Sequence, residues 1–171
     1  MRDPFIIRSA TAADAAIISH QRVGMWVDMG VATPEIVPEL LRVTTEALAP
    51  ILESGEYAGW LAAPADEPSL IVAGAGVHFR PVLPLPVRRP DGSVFIEPGR
   101  HPTVVNVYTE RAYRRRGIAR LLMERIIAWA PGAGVTMLFL HASPEGKALY
   151  ESLGFAPSAD MRLSLHGLPP R

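Results

Sequence analysis

Residues 103–130 read TVVNVYTERAYRRRGIARLLMERIIAWA, and this stretch decides the fold. Residues 103–109 are rich in valine and other β-branched side chains, which is typical of a buried strand. Residues 116–130 repeat apolar side chains at helical spacing and predict a helix. The chain therefore predicts a strand, an arginine-rich turn and a helix in direct succession.

The turn between that strand and that helix reads Arg114-Arg115-Arg116-Gly117-Ile118-Ala119. The first amides of a helix have no intrahelical acceptor and lie at the positive end of its dipole, so they suit a phosphate. Gly117 lets the backbone approach an anion without a Cβ in the way, and Ala119 keeps the next turn slim. The arginines add charge, and Arg114 is placed to reach back over the anion. We therefore predict a pyrophosphate cradle; the alternative is a solvated basic face, for example for RNA.

The remaining elements predict an α/β domain with one mixed sheet. Further strands are expected at 5–9, 57–63, 69–79, 135–141 and 161–165. Further helices are expected at about 11–30, 33–55 and 144–153. The segment 80–102 holds six prolines and the turn-forming pair Asp91-Gly92. It is predicted to be a long excursion that includes a small hairpin and either covers a binding cleft or forms a dimer contact.

Two stretches resemble the motifs of the GNAT acetyltransferase family. Arg114-x-x-Gly117-x-Ala119, after the strand that ends Val107-Tyr108-Thr109, is similar to motif A. That motif reads glutamine or arginine, two residues, glycine, one residue, then glycine or alanine. Residues 141–155, HASPEGKALYESLGF, resemble motif B. The resemblance implies one domain over 1–171. Its single, mostly antiparallel mixed sheet would be flanked by helices and splayed into a V-shaped cleft.

The resemblance also implies an N-acetyltransferase that uses acetyl-CoA. Backbone groups of Val107 and Thr109 would bind the pantetheine arm, and Tyr108 would lie beside the acyl group. The pyrophosphate would lie on the amides of the cradle, which are those of Arg115, Arg116, Gly117, Ile118 and Ala119. Ser143 stands where the family often has a cofactor-binding asparagine, and it would cap the following helix.

Tyr150 corresponds to the family tyrosine that protonates the departing thiolate. A phenol has an ordinary pKa of about 10 and a thiol about 8.5, so full transfer is uphill by about 2 kcal/mol. Hydrogen bonding to the sulfur becomes more favourable once water is excluded. The alternative is that Tyr150 is a core aromatic beside Leu149 and Phe155.

A primary amine acceptor needs a base, because keeping such an amine neutral at pH 7 costs about 4–5 kcal/mol. Thr103 stands near the position where some family members have a glutamate. The candidates are His78, His101, Glu110 and, through a water, Asn106. We favour His78, because it lies near the end of a neighbouring strand and histidine suits proton transfer at neutral pH.

The acceptor wall is expected, by resemblance, to come from the first two helices and the far side of the cleft. Asn106 and a set of apolar side chains are candidates for it, although core packing is the alternative for each of the latter: Met25, Trp26, Trp60 and Phe79. Few carboxylates occur near Met25, so a polycationic acceptor is not favoured. We expect a primary amine on a small molecule or a protein.

Composition narrows these readings. The 171 residues are 49% hydrophobic with a formal net charge of zero, which favours a folded domain and argues against nucleic acid as a partner. The chain has no cysteine, which excludes disulfides, thiolate metal sites and cysteine nucleophiles. We expect no metal, no signal peptide, no membrane span, and a cytoplasmic location. Apolar residues of the excursion allow a homodimer.

Three functions fit the sequence. The first is acetyl transfer to a primary amine by direct attack on the thioester. The second is a non-catalytic acyl-CoA-binding module that regulates a partner. The third is an RNA-associated acetyltransferase, which would need more basic surface than a neutral chain supplies. Turnover of acetyl-CoA separates the first two, and a salt-sensitive gel shift tests the third.

Overall fold

The computed structural model describes residues 4–89, 91–97 and 99–158. The chain divides into two compact units, Met1–His141 and Ala142–Arg171, which are described separately below. The expectation of one domain over the whole chain stays a prediction. The strand predicted at 161–165 lies outside the described residues.

The first unit is built on a five-stranded sheet. The strands of the described chain are β1 (Phe5–Ser9), β2 (Tyr57–Pro64), β3 (Ala73–Pro81), β4 (Leu85–Arg88), β5 (Val94–Glu97), β6 (Arg100–Thr109) and β7 (Phe139–Leu140). The sheet order is β1-β2-β3-β6-β7, and every neighbouring pair is antiparallel except β6–β7, which is parallel. The predicted mixed, mostly antiparallel sheet is therefore confirmed. A separate two-stranded sheet, β4–β5, accompanies it.

Four α-helices accompany the strands in the described residues. They are α1 (Ala15–Asp28), α2 (Val37–Glu53), α3 (Ile118–Trp129) and, in the second unit, α4 (Lys147–Ser152). A short 3-10 turn leads into α1, and the Thr11 amide donates to the Asp14 carboxylate at 2.8 Å, which caps this turn. No helix among the described residues is both long and apolar enough to cross a bilayer.

Helices cover both faces of the sheet, because side chains alternate along each strand. On one face, Tyr57 and Leu61 of β2 pack with Leu48 of α2 and with Ala15 and Ile18 of α1. On the other face, Trp60 of β2 meets Trp129 of α3 with ring centroids 4.9 Å apart. Three α3 side chains there are fully buried: Leu122, Met123 and Ile126.

Three strands differ from the sequence-based expectation, and the helices expected from 33 and 144 begin later, at Val37 and Lys147. β6 begins at Arg100, three residues early, because its ladder with β3 continues to the pair Pro81–Arg100. The excursion is consequently shorter, and its predicted hairpin is confirmed as β4–β5. The strand expected at 135–141 is reduced to β7, which meets β6 only at two positions. The strand expected at 69–79 begins at Ala73, after a turn in which the Leu70 amide bonds to Glu67.

A β-bulge interrupts the pairing of β3 with β6. Gly76 faces Val105, but Gly74 faces Tyr108, so β6 carries one extra residue there. Asn106 occupies this point with φ 57°, a left-handed conformation that asparagine tolerates better than most residues. β7 pairs only with Thr103 and Val104, so in the described chain β6 has no strand on that side from Val105 onward. The bulge and the end of the β6–β7 pairing thus lie next to each other, which is where the predicted V-shaped cleft would open.

Candidate active site

The bulge residue anchors a buried polar network. Asn106, only 6% exposed, accepts a hydrogen bond on Oδ1 from Nη1 of Arg22 at 2.7 Å. Its Nδ2 donates to the hydroxyl of Tyr57 at 3.1 Å. Three elements far apart in sequence thus meet at one amide: α1, β2 and β6. The left-handed backbone and the two side-chain bonds fix where this amide points.

Tyr57 is seated by a glycine on the adjacent strand. A Cβ on Gly76 would lie 2.3 Å from the Tyr57 ring, so only glycine leaves room for it. Complete burial raises the pKa of Tyr57 to about 12, against the weaker opposing effects of Asn106 and Arg22. The phenol therefore stays protonated at neutral pH and keeps a donor proton beside the network.

A cavity of about 560 Å³ opens beside this network, and we call it the Asn106 cavity. That volume is typical of small-molecule sites. Its lining comes from α1, α2, β2, β3 and β6: Arg22, Val43, Thr44, Ala47, Leu48, Ile51, Tyr57, His78, Arg80, Val105 and Asn106. The apolar side chains supply contact area, whereas Arg22, Tyr57 and Asn106 form the hydrogen-bonded network at the bulge.

His78 is the one base candidate besides Asn106 that lines this cavity within the described residues. Its backbone is paired with Tyr57, and the two ring centroids are 6.4 Å apart. Desolvation lowers the pKa of His78, with further lowering from Arg80 and Arg22 and an opposing effect of Glu56. The imidazole is therefore neutral at neutral pH, which is the state that can accept a proton.

A second cavity, of about 460 Å³, lies along Tyr108, and we call it the Tyr108 cavity. Tyr108 packs on α1, where a Cβ on Gly24 would lie 3.0 Å from the phenol oxygen. This cavity also contains Glu110, so that candidate base and His78 line different cavities. His101 lies at the β7 side, with its ring centroid 3.8 Å from that of Phe139.

The arginines at residues 111–116, here called the arginine loop, lead into the predicted cradle at Arg114–Ala119 and are partly neutralised by a carboxylate. Asp28, at the end of α1, forms ion pairs with both Arg111 and Arg114. Arg114 also donates from Nε to the Thr109 carbonyl at 2.9 Å. These arginines hold the pKa of Asp28 below its usual value although its desolvation opposes them. Arg114 is therefore occupied by Asp28 in this structure, rather than extended over an anion site.

The start of α3 has the form that an anion cradle needs. Gly117 adopts φ 82° directly before the helix, and Arg115 has φ 62°, so two left-handed residues shape the turn. A Cβ on Gly117 would meet nothing within 4 Å, so the space in front of the helix is open. Arg115 and Arg116 are exposed at its rim. An open helix start with unsatisfied amides and cationic side chains fits a pyrophosphate.

The second unit carries the remaining predicted residues. The Gly146 amide donates to Ser143 Oγ at 3.2 Å, so Ser143 closes the turn that precedes α4. Ser143 does not cap the helix as expected, because α4 begins later, at Lys147. Tyr150 packs edge-to-face on Phe155, with centroids 6.1 Å apart. A Cβ on Gly146 would lie 2.8 Å from the Tyr150 ring. Burial raises the pKa of Tyr150, so its phenol is protonated at neutral pH. Its role in proton transfer stays a prediction.

The predicted acceptor-wall residues separate onto two faces. Asn106 lines the cavity, and Trp26 stacks on Arg22, whose guanidinium lies 5.5 Å from the ring centroid. Met25 neighbours it on α1 and is half-buried. Phe79, however, points to the opposite face, where its ring centroid lies 6.1 Å from that of Trp129. Trp60 lies on that same face, so core packing accounts for both aromatic rings.

Sequence reasoning missed most of the lining of the Asn106 cavity, including Arg22, Tyr57 and Arg80. Arg22 had a weak signal, because it is a charged residue between Gln21 and Val23, both of which are buried. Arg80 follows His78 by two positions, and the period of a strand puts both on one face. Nothing local distinguishes Tyr57 from any strand-initial aromatic.

The fold and the site together define an acyltransferase with a bulged, splayed sheet. The family model described as "Acetyltransferase (GNAT) family" matches residues 32–155, and the chain belongs to that family. The predicted resemblance is thereby confirmed, and it extends to the region before residue 80. The chain accordingly belongs among the proteins that transfer acetyl groups.

Solved structures share the fold over nearly the whole chain. A GCN5-related N-acetyltransferase from Ralstonia eutropha JMP134 has 23% identity and a TM-score of 0.77, covering 95% of this chain and 99% of its own. A predicted acetyltransferase with acetyl-CoA from Clostridium acetobutylicum has 23% identity and a TM-score of 0.73, covering 94% and 96%. Glucosamine-6-phosphate N-acetyltransferase from Arabidopsis thaliana has 14% identity and a TM-score of 0.61, covering 96% and 99%. No curated protein matches the sequence. At these identities the likeness concerns the fold alone.

Proposed function

We propose that the protein transfers the acetyl group of acetyl-CoA to a primary amine on a small molecule or a protein, by direct attack on the thioester. The observation that carries this proposal is the left-handed bulge at Asn106. It lies where β6 separates from β7, beside a cavity with a neutral histidine. The family membership supports acetyl transfer, and the cavity supports a small acceptor group.

Residues of the first unit would hold the cofactor. The amides of Gly117, Ile118 and Ala119 would bind its pyrophosphate, with Arg115 and Arg116 adding charge. The part of β6 beyond the bulge, Val107–Thr109, has no strand on its β7 side among the described residues and would offer backbone groups there to the pantetheine arm. Bound acetyl-CoA would supply an activated acyl group as a thioester.

His78 would take the proton of the incoming amine. Its lowered pKa leaves it neutral at neutral pH, and the Asn106 amide beside it has a fixed orientation. A neutral amine then attacks, and its excess proton has a base within the same cavity. Asn106 and Tyr57 would orient the acceptor or a bridging water through their hydrogen bonds.

Tyr150 would donate its phenolic proton to the departing sulfur. Its raised pKa ensures that the proton is present at the start of the reaction. Transfer to a thiolate is uphill by the ordinary pKa difference of about 1.5, so the phenol would act mainly by hydrogen bonding.

We also propose that the protein is cytoplasmic, that the whole chain forms a single domain, and that two copies form a homodimer.

The test combines binding and turnover. Calorimetry measures acetyl-CoA binding, and thiol release measures acetylation of a panel of primary amines. We expect Tyr150→Phe and His78→Gln to lower kcat roughly 10²- to 10⁴-fold while acetyl-CoA affinity stays within about threefold. Binding without turnover of any amine would instead support a sensor module. Absence of binding would exclude both functions.

A further inference from the structure

We infer that the acceptor carries an anionic group, a carboxylate or a phosphate, which Arg22 and Arg80 bind in the Asn106 cavity. This inference rests on the proposed function, because it names the acceptor class of that same cavity. It begins with the charges of the lining. Two arginines and one histidine face the cavity, and no carboxylate does so among the described residues.

Arg22 differs from other arginines of the fold in what it bonds. Arg8 pairs with Asp14 at 2.6 Å, Arg42 with Glu39 at 2.7 Å, and Arg111 and Arg114 with Asp28. Arg22 is half-buried, yet no carboxylate of the described chain lies within ion-pair distance of it. Its hydrogen-bond partner is the neutral amide of Asn106.

This arrangement leaves donors of Arg22 for a ligand. A guanidinium has five N–H donors in a planar fork that matches a carboxylate or a phosphate. One nitrogen donates to Asn106, and the Trp26 ring supports the group at 5.5 Å. A partly desolvated cation without a counterion is unfavourable, and an acceptor anion would supply the missing charge.

Arg80 places a second cation on the same side of the sheet. It follows His78 by two residues on β3, so both side chains lie on the same face of the sheet, and both line the cavity. The Arg80 charge is close enough to His78 to lower its pKa. The lining thus combines two arginines, a neutral histidine and the Asn106 amide. A small amine with an anionic substituent matches this combination, with its amino group at His78.

The Tyr108 cavity differs in charge, because it is lined by two carboxylates, Asp28 and Glu110, together with Arg111, which pairs with Asp28. Glu110 would favour a cationic acceptor such as a diamine there. The two cavities therefore make different predictions about the charge of the acceptor. The Asn106 cavity adjoins the bulge and His78, so its preference should govern the reaction.

Paired acceptors test the inference. Phosphoethanolamine is compared with ethanolamine, β-alanine with propylamine, and 1,3-diaminopropane is added as the cationic probe. We expect kcat/KM at least about tenfold higher for an anionic member than for its neutral partner, mostly through KM. The phosphate and carboxylate arms show which anion is preferred. Equal rates within both pairs, or a preference for the diamine, would overturn the inference while leaving acetyl transfer intact.

Variants locate the effect. Arg22→Gln and Arg80→Gln should each lower kcat/KM for the anionic acceptor roughly 10- to 100-fold, the range for one lost charge-assisted hydrogen bond, and by a larger factor than for the neutral one. Arg80→Glu should shift preference toward the diamine. Arg88→Gln is the matched control, because it removes one positive charge from the exposed hairpin. An equal loss in Arg88→Gln would attribute the effect to net charge and contradict the site.

Calorimetry with phosphoethanolamine and free CoA decides the inference without turnover. Binding that is lost in Arg22→Gln and in Arg80→Gln supports the anion site even if no amine is acetylated, in which case only the proposed function fails. Equal binding by both variants and the parent overturns the anion site. The folding of Arg22→Gln, which also loses its bond to Asn106, is checked by acetyl-CoA affinity, which should stay within about threefold.

Discussion

The protein has two basic regions, and they differ in whether carboxylates pair with their arginines. The arginine loop is obvious in the sequence, but Asp28 neutralises part of it by pairing with Arg111 and Arg114. The Asn106 cavity has only Arg22 and Arg80, which lie far apart in sequence, and no carboxylate lines it among the described residues. A run of charge in sequence therefore overstates the field at the loop, whereas folding concentrates charge in the cavity.

The largest change in cofactor affinity should come from a substitution at the start of α3, next to the arginine loop. Gly117→Glu puts a side chain at φ 82°, in front of α3, where the space is open. Left-handed backbone costs a non-glycine residue about 1–2 kcal/mol, and a carboxylate repels a pyrophosphate. We expect acetyl-CoA affinity to fall at least about 100-fold by calorimetry. Gly134→Glu is the matched control, because Gly134 is also left-handed with open space. Equal binding by both variants would disprove the cradle.

A second substitution should disturb the packing of the Asn106 cavity. Gly76→Ala would place a Cβ 2.3 Å from the buried Tyr57 ring and displace it from Asn106. Overpacking of this kind lowers the free energy of unfolding by about 1–3 kcal/mol. Urea unfolding measures that loss, and turnover should fall more than acetyl-CoA affinity. Gly132→Ala, where a Cβ meets nothing within 4 Å, should be nearly neutral. Equal stability of the two variants would mean that the ring shifts without cost.

The pH dependence of kcat/KM should show whether the base lies in the Asn106 cavity. The pKa of His78 is lowered, so its neutral form is lost only below the ordinary histidine value of about 6.5. In a plot of log kcat/KM against pH, the protonation of His78 should add one unit to the slope below that value. This comes in addition to the slope from the acceptor amine. His78→Gln should remove the extra slope and keep the amine slope. If Glu110→Gln removes it instead, the base lies in the Tyr108 cavity.

The contrast also explains what the sequence could predict. The strand, turn and helix at 103–130 follow from local periodicity and from one left-handed glycine, so a reader of the sequence can place the cradle. The cavity depends on register: Tyr57 faces His78 only because β2 and β3 pair that way, and the bulge turns Asn106 toward both Tyr57 and Arg22. The Asp28–Arg114 pair spans 86 positions and leaves no local pattern.

Removing the carboxylate beside the arginine loop should change acetyl-CoA affinity only slightly. Asp28→Asn removes the carboxylate that occupies Arg111 and Arg114. Both guanidinium groups are solvent-exposed, so their release should tighten acetyl-CoA binding only about two- to fivefold at low salt. Because the pKa of Asp28 is lowered, the pair persists at neutral pH and is lost only as the pH falls through that depressed value. Glu39→Gln, which removes an equal charge beside exposed Arg42, is the control. Weaker binding by Asp28→Asn would show that Asp28 positions Arg114 for the cofactor instead of competing with it.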